Sequence, residues 1–139
     1  MTSIQNVRCN TERQTHVAYI RRMEHSSPSD SNLQTCIDLT TRCHRTCLQT
    51  ALNHCLEKGD QYMEPEHFRL MINCAEICQS CTNFLLGGST FTEEICNVCA
   101  DICEACALSC EMIGDMEDCV RICRECSVSC RNIAQAANA

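Results

Sequence analysis

Aromatic side chains are scarce in this chain of 139 residues: three Phe, two Tyr and no Trp. Its interior must therefore be filled by something smaller than rings. Proline and glycine are also few, two and four. After Pro28 they fall only between periodic segments, so they punctuate the chain without breaking its elements. No run of about 18 apolar residues occurs, which leaves nothing to span a membrane as a helix. Positive charge is in deficit: 11 Lys and Arg face 18 Asp and Glu, for a net charge of −7. That balance argues against a nucleic-acid partner, which calls for a basic patch. Residues 1–27 contain no apolar core of a secretory signal. Arg21-Arg22 runs into Met-Glu-His-Ser-Ser, which is not a twin-arginine leader. A cytosolic protein is the expectation.

What the chain does have is cysteine, 17 in all. In a reducing compartment such a count reads as metal ligands before disulfides. Ser26-Ser27-Pro28-Ser29-Asp30-Ser31-Asn32 is a linker by composition. It divides the chain into an N-terminal segment, residues 1–31, and a cysteine-bearing domain, residues 32–139. Turn signals at Lys58-Gly59-Asp60, Gly87-Gly88-Ser89 and Gly114-Asp115 cut that domain into four segments. Ser31 with Gln34, and Thr90 with Glu93, have the capping-box spacing. Pro65 suits a first helical position, and Asp115 suits a cap for the last segment. Helices are expected near 32–58, 65–86, 91–113 and 116–136. Their short connections predict an all-α, antiparallel up-down-up-down four-helix bundle. A further N-terminal helix is expected near 4–24, with a weak apolar face through Ile4, Val7, Thr11 and Ala18.

The spacing of the cysteines is helical. The first helix holds Cys36, Cys43 and Cys47; the second Cys74, Cys78 and Cys81. The third holds Cys96, Cys99, Cys103, Cys106 and Cys110; the fourth Cys119, Cys123, Cys126 and Cys130. Steps of 3, 4 and 7 put each set on one face. Each stripe lies where a bundle ordinarily keeps Leu and Ile. Cys55 falls about a quarter turn off the first stripe at 3.6 residues per turn. Disulfides within one helix fit poorly, because Cβ atoms at i and i+4 stand about 5–6 Å apart and a disulfide wants about 3.5–4.5 Å. Packing alone is a weak account, since an all-cysteine core would underfill a bundle. Thiolates select Cu(I), Zn(II) and iron–sulfur clusters. Zinc sites isolate four ligands, and ferredoxin runs are not helical in period. A continuous stripe suits Cu(I), which accepts two or three thiolates. At roughly one ion per thiolate, a dozen or more ions would be held.

Softer and weaker ligands gather toward one end. His54 stands five whole turns from Cys36, straight along the cysteine face. Met63, His67, Met71 and Met116 come to the same end in an antiparallel bundle. Thioether and imidazole bind Cu(I) less tightly than thiolate, which suits a mouth. Leu33, Phe84, Leu85, Phe91 and Ile133 fall at the opposite end and predict an apolar plug. His16, His25 and His44 lie off the stripes and are expected in solvent, as are Glu104, Glu111, Glu117 and Glu125. Leu48, Leu52 and Leu56 form a second stripe that predicts an interface, with the N-terminal segment or with another subunit.

On these residues the chain resembles the bacterial copper storage protein family, cysteine-rich four-helix bundles of which some were once described as ferredoxin-like. The resemblance covers about 32–136. It rests on Cys96-x2-Cys99-x3-Cys103-x2-Cys106-x3-Cys110, on Cys119-x3-Cys123-x2-Cys126-x3-Cys130 and on Cys74-x3-Cys78-x2-Cys81. It implies Cu(I) on thiolates along the bundle, a His and Met mouth opposite a hydrophobic end, and homotetramers. It resembles the cytosolic branch of that family. The N-terminal segment with Cys9 departs from the pattern, so Cys9 is not assigned to the core. Three other readings stay open beside storage: a zinc or general thiol buffer, an iron–sulfur electron carrier, and a transient copper chaperone exchanging ions with a donor or acceptor protein. No nucleophile–base pair or phosphate loop points to an enzyme.

Overall fold

The computed structural model describes residues 29–137. The expected N-terminal helix, Cys9, His16 and His25 lie outside them. Four long helices follow one another. The first, α1, is regular over Asp30–Gln49, passes through a π-helical turn at Thr50–Cys55 and closes as α-helix at Leu56–Lys58. A 3₁₀ turn, Asp60–Met63, leads into α2, Pro65–Leu86. Then come α3, Thr92–Ile113, and α4, Glu117–Ala137. Helix α1 packs on α2 and α4, and α3 packs on the same two. The result is the four-helix bundle that the sequence predicts, with no strand among the described residues.

The helix starts differ from expectation in instructive ways. Pro65 does sit at the start of α2, and the Glu64 carboxylate accepts from the backbone N–H groups of Glu66 and His67. Those two donors hold the Glu64 carboxyl below its ordinary range. The two capping boxes do not form. Helix α1 begins at Asp30, so Ser31 is already helical and its carbonyl accepts from Thr35 Oγ1 at 2.9 Å. Before α3, Ser89 rather than Thr90 accepts from a backbone N–H, that of Phe91. Asp115 adopts a positive φ of 59° and turns its carboxylate to Lys58 Nζ instead of capping α4. Each local hydroxyl or carboxylate has several available donors, and the chain's path into the helix decides among them.

The core is mostly sulfur. Fifteen cysteines are fully out of solvent and Cys119 is all but so. Ala51, Ala75, Ala100 and Ala107 accompany them. With such small side chains in the core, only close approach of the helices keeps the interior dense. At the far end Leu85, Ile133 and Ala134 are buried, with Leu33 partly so, and they close the tube with hydrocarbon. Phe84 and Phe91 do not join that plug; both are exposed. Among the described residues no helix is long and apolar enough to cross a membrane.

Candidate metal centre

All sixteen cysteines of the described residues carry free thiols. Eleven of them bring Sγ within 3.5–4.0 Å of another Sγ, and these pairs draw on all four helices. Cys43 lies 3.7 Å from Cys123 and 4.0 Å from Cys74. Cys47 lies 3.5 Å from Cys123, and Cys78 lies 3.6 Å from Cys103 and 3.8 Å from Cys99. Cys81 meets Cys96 at 3.8 Å, and Cys36 meets Cys130 at 3.8 Å. Four convergent groups stand out, each with its sulfurs within 4.8 Å of one another: Cys43, Cys47, Cys74 and Cys123; Cys43, Cys74, Cys78 and Cys103; Cys78, Cys99, Cys103 and Cys126; and Cys81, Cys99 and Cys130. Successive groups share thiols, so the lining is continuous.

The π turn in α1 corrects two expectations at once. At about 100° per residue, an unbroken helix would bring His54 to the thiol face and leave Cys55 beside it. The wider turn over Thr50–Cys55 takes up one extra residue. Cys55 then falls into the core, with its thiol 3.8 Å from Met116 Sδ. His54 moves to the rim, half-buried, edge-on to Tyr62 with ring centroids 5.3 Å apart. Its Nε2 is shielded from solvent, 3.7 Å from Asp115 Oδ2 and without a hydrogen-bond partner.

The expected mouth ligands do gather where α1 and α3 end and α2 and α4 begin. Met71 is fully buried, and its Sδ accepts from Cys110 at 3.2 Å and from Cys106 at 3.6 Å. His67 is buried, with Nδ1 held by Ser109 Oγ at 2.7 Å and Nε2 left without a partner. Burial holds this imidazole below its ordinary pKa, against the pull of Glu64 and Cys119, so it is neutral at pH 7. Met63 is partly buried and packs against the core from the 3₁₀ turn. Met116 is buried below a surface cavity of about 270 Å³ whose walls include Thr50, His54, Glu117, Asp118 and Cys119.

Ionisation also differs along the tube. The neighbouring thiols of Cys110 and Cys47 hold Cys119 down at about 4, against burial. Cys110, Cys123 and Cys47 hold Cys106 at about 7. Deeper in, Cys130 is pushed up, first by Cys126 and then by its other thiol neighbours and by burial. Thiols held down are not confined to one end: Cys96, beside the apolar plug, is lowered as well, first by Cys130. Periodicity could not single out Cys119 from the rest of its stripe, nor Ser109 as the group that holds His67. His44 is a further correction: it is half-buried, and its Nδ1 meets the Ala75 carbonyl oxygen at 2.8 Å. Glu104 and Glu111 are exposed as expected and pair with Arg131 and Arg124.

Comparison with known proteins fits this centre. The family profile described as copper storage protein matches residues 29–135. A crystal structure of the Nmul_A1745 protein from Nitrosospira multiformis is 55% identical, with a TM-score of 0.76, covering 77% of this chain and 98% of that one. The Cu(I)-bound copper storage protein BsCsp3 is 32% identical, with a TM-score of 0.69, covering 74% of this chain and 98% of that one. An uncharacterized cysteine-rich protein of Bacillus subtilis, YhjQ, is 32% identical over 82 residues, 59% of this chain and 71% of the relative.

Proposed function

The chain belongs to the copper storage protein family, and on that premise we propose that it takes up and stores many Cu(I) ions on the thiolates lining its bundle. The observation that carries this reading is the sharing of thiols between successive convergent groups. A soft monovalent cation can bridge from thiolate to thiolate along such a lining. Each Cu⁺ that binds a thiol displaces one proton, so a core filled at one ion per sulfur stays neutral. Neutrality matters because an uncompensated charge in a low-dielectric interior is costly. Zinc is the competing cargo. Cys43, Cys47, Cys74 and Cys123 form one tetrad and Cys78, Cys99, Cys103 and Cys126 another, with no ligand in common. Two Zn²⁺ ions there would leave half the lining thiols free and two negative charges buried at each site.

We assign the sixteen cysteines of the bundle as the storage ligands. His54, Met63, His67, Met71 and Met116 serve the mouth, where weaker donors let ions pass inward and out again. The role is carriage of cargo rather than catalysis. The cytosol is the compartment we propose, because sixteen thiols kept free for metal call for reducing conditions. Exposed Leu52 and Leu56 on α1 support association into the homotetramer that the family resemblance implies; light scattering behind gel filtration reads that mass directly.

An anaerobic Cu(I) titration of the reduced full chain against a high-affinity chelator tests storage, with free thiols counted alongside. The expected result is a chelator that stays metal-free until on the order of a dozen ions or more are bound per chain, with nearly all thiols engaged. Saturation after one to four ions overturns storage in favour of isolated zinc or cluster sites.

A further inference from the structure

One stretch of the lining carries no sulfur. Cys36, Thr40, Cys43 and Cys47 keep the 4-3-4 rhythm of Cys119, Cys123, Cys126 and Cys130, so Thr40 occupies a thiol position of α1. It is fully buried. Its Oγ1 lies 2.7 Å from Oγ1 of Thr82, buried on α2, and 2.9 Å from the Cys36 carbonyl oxygen. If Thr82 donates to Thr40 and Thr40 donates to that carbonyl, both hydroxyl protons are placed without water or metal. A neutral hydroxyl is a hard, weak ligand and does not compete with thiolate for Cu(I). The consequence shows in the convergent groups. Helix α1 supplies Cys43 and Cys47 to the two groups nearer the mouth and no thiol to Cys78, Cys99, Cys103 and Cys126, or to Cys81, Cys99 and Cys130. Cys36, beyond Thr40, meets the lining at Cys130.

We infer that at the Thr40–Thr82 pair the continuous lining narrows, from four helices toward the mouth to convergent groups from α2, α3 and α4 that Cys36 of α1 joins only at Cys130, and that this pair limits the Cu(I) capacity. The inference rests on the storage reading. It also gives the pair a second effect: a metal-independent brace between α1 and α2, in a core whose other cross-helix contacts are chiefly thiol to thiol.

The test is the same chelator-competed Cu(I) titration on the full chain, wild type beside Thr40→Cys. A second variant, Thr40→Cys with Thr82→Ala, removes the hydroxyl that the first leaves short of a partner. Circular dichroism checks the helices, and a thiol count in denaturant confirms the added cysteine. The expected result is a gain of about one Cu(I) per chain over wild type in at least one variant, because the added thiol stands in the cysteine register of α1 between Cys36 and Cys43. Unchanged capacity in every variant that folds with the extra thiol overturns this inference alone, provided that wild type fills. A wild type that stops at a few ions overturns the storage reading and this inference with it. If neither variant is helical, the pair is a brace required for folding rather than a limit on capacity, and the inference falls.

Discussion

At the scale of single residues, the proposed mouth is marked by atoms left without partners. His67 Nε2 and His54 Nε2 are both shielded from solvent and unpaired. An unpaired buried nitrogen costs about 1–3 kcal/mol, a cost that a soft cation at the mouth would offset. Only His67 has its other nitrogen fixed, by Ser109. Replacing His54 and His67 together by Ala is expected to leave the final copper content unchanged. It should slow loading and release by roughly tenfold, the factor that about 1.4 kcal/mol carries. Stopped-flow exchange with a chelator reads both rates, and unchanged rates would remove the histidines from the path. Ser109→Ala should shift the rates in the same direction by less, since it loosens one ligand and removes none.

At the scale of elements, the π turn of α1 is the feature that puts the thiols of a single helix in line. It spends one residue to rotate Cys55 onto Met116. Deleting Leu52, an exposed residue inside that turn, should return the turn to ordinary α-helix and keep both flanks in the phase they have now. Cys55 is then expected to stay slow toward a bulky thiol reagent, copper capacity to stay unchanged, and the metal-free chain to melt a few degrees higher. The gain arises because π hydrogen bonding is less favourable than α. Rapid labelling of Cys55 in the deletion variant would show that the π turn does more than absorb a residue.

At the scale of the whole molecule, the store works as an exchanger of cations. Thiols pushed up by burial and by one another, such as Cys130 and Cys123, hold protons at pH 7. Cys119 and, in part, Cys106 do not. Loading at neutral pH is therefore expected to release one proton for each ion that meets a protonated thiol, with a shortfall at the sulfurs their neighbours hold down, which also include Cys43, Cys74, Cys96 and Cys99. A pH-stat titration measures it, and loading without proton release would contradict thiolate binding. By the same exchange, retention against a chelator should weaken by about tenfold per unit as pH falls below the thiol pKa values. Loaded protein should also melt higher than metal-free protein, since the ions bind the folded bundle in preference to the unfolded chain.

Several features were legible in the residues alone. Steps of 3 and 4 place cysteines on one face whatever lies opposite, because that periodicity is a property of a single helix. Short connections make neighbouring helices antiparallel, and so bring Met71, His67 and Met116 to one end. Soft sulfur in a nearly continuous row already pointed to Cu(I). The tertiary structure decided what depends on the other helices: that Cys55 and not His54 faces the core, that Phe84 and Phe91 stay outside the plug, and that Asp115 turns to Lys58 rather than capping α4. It also decided that Thr40 finds Thr82. A sequence repeats its period without knowing which position will meet a partner. An extra residue in one turn, or a hydroxyl in reach of another, is settled only when four helices compete for the same interior.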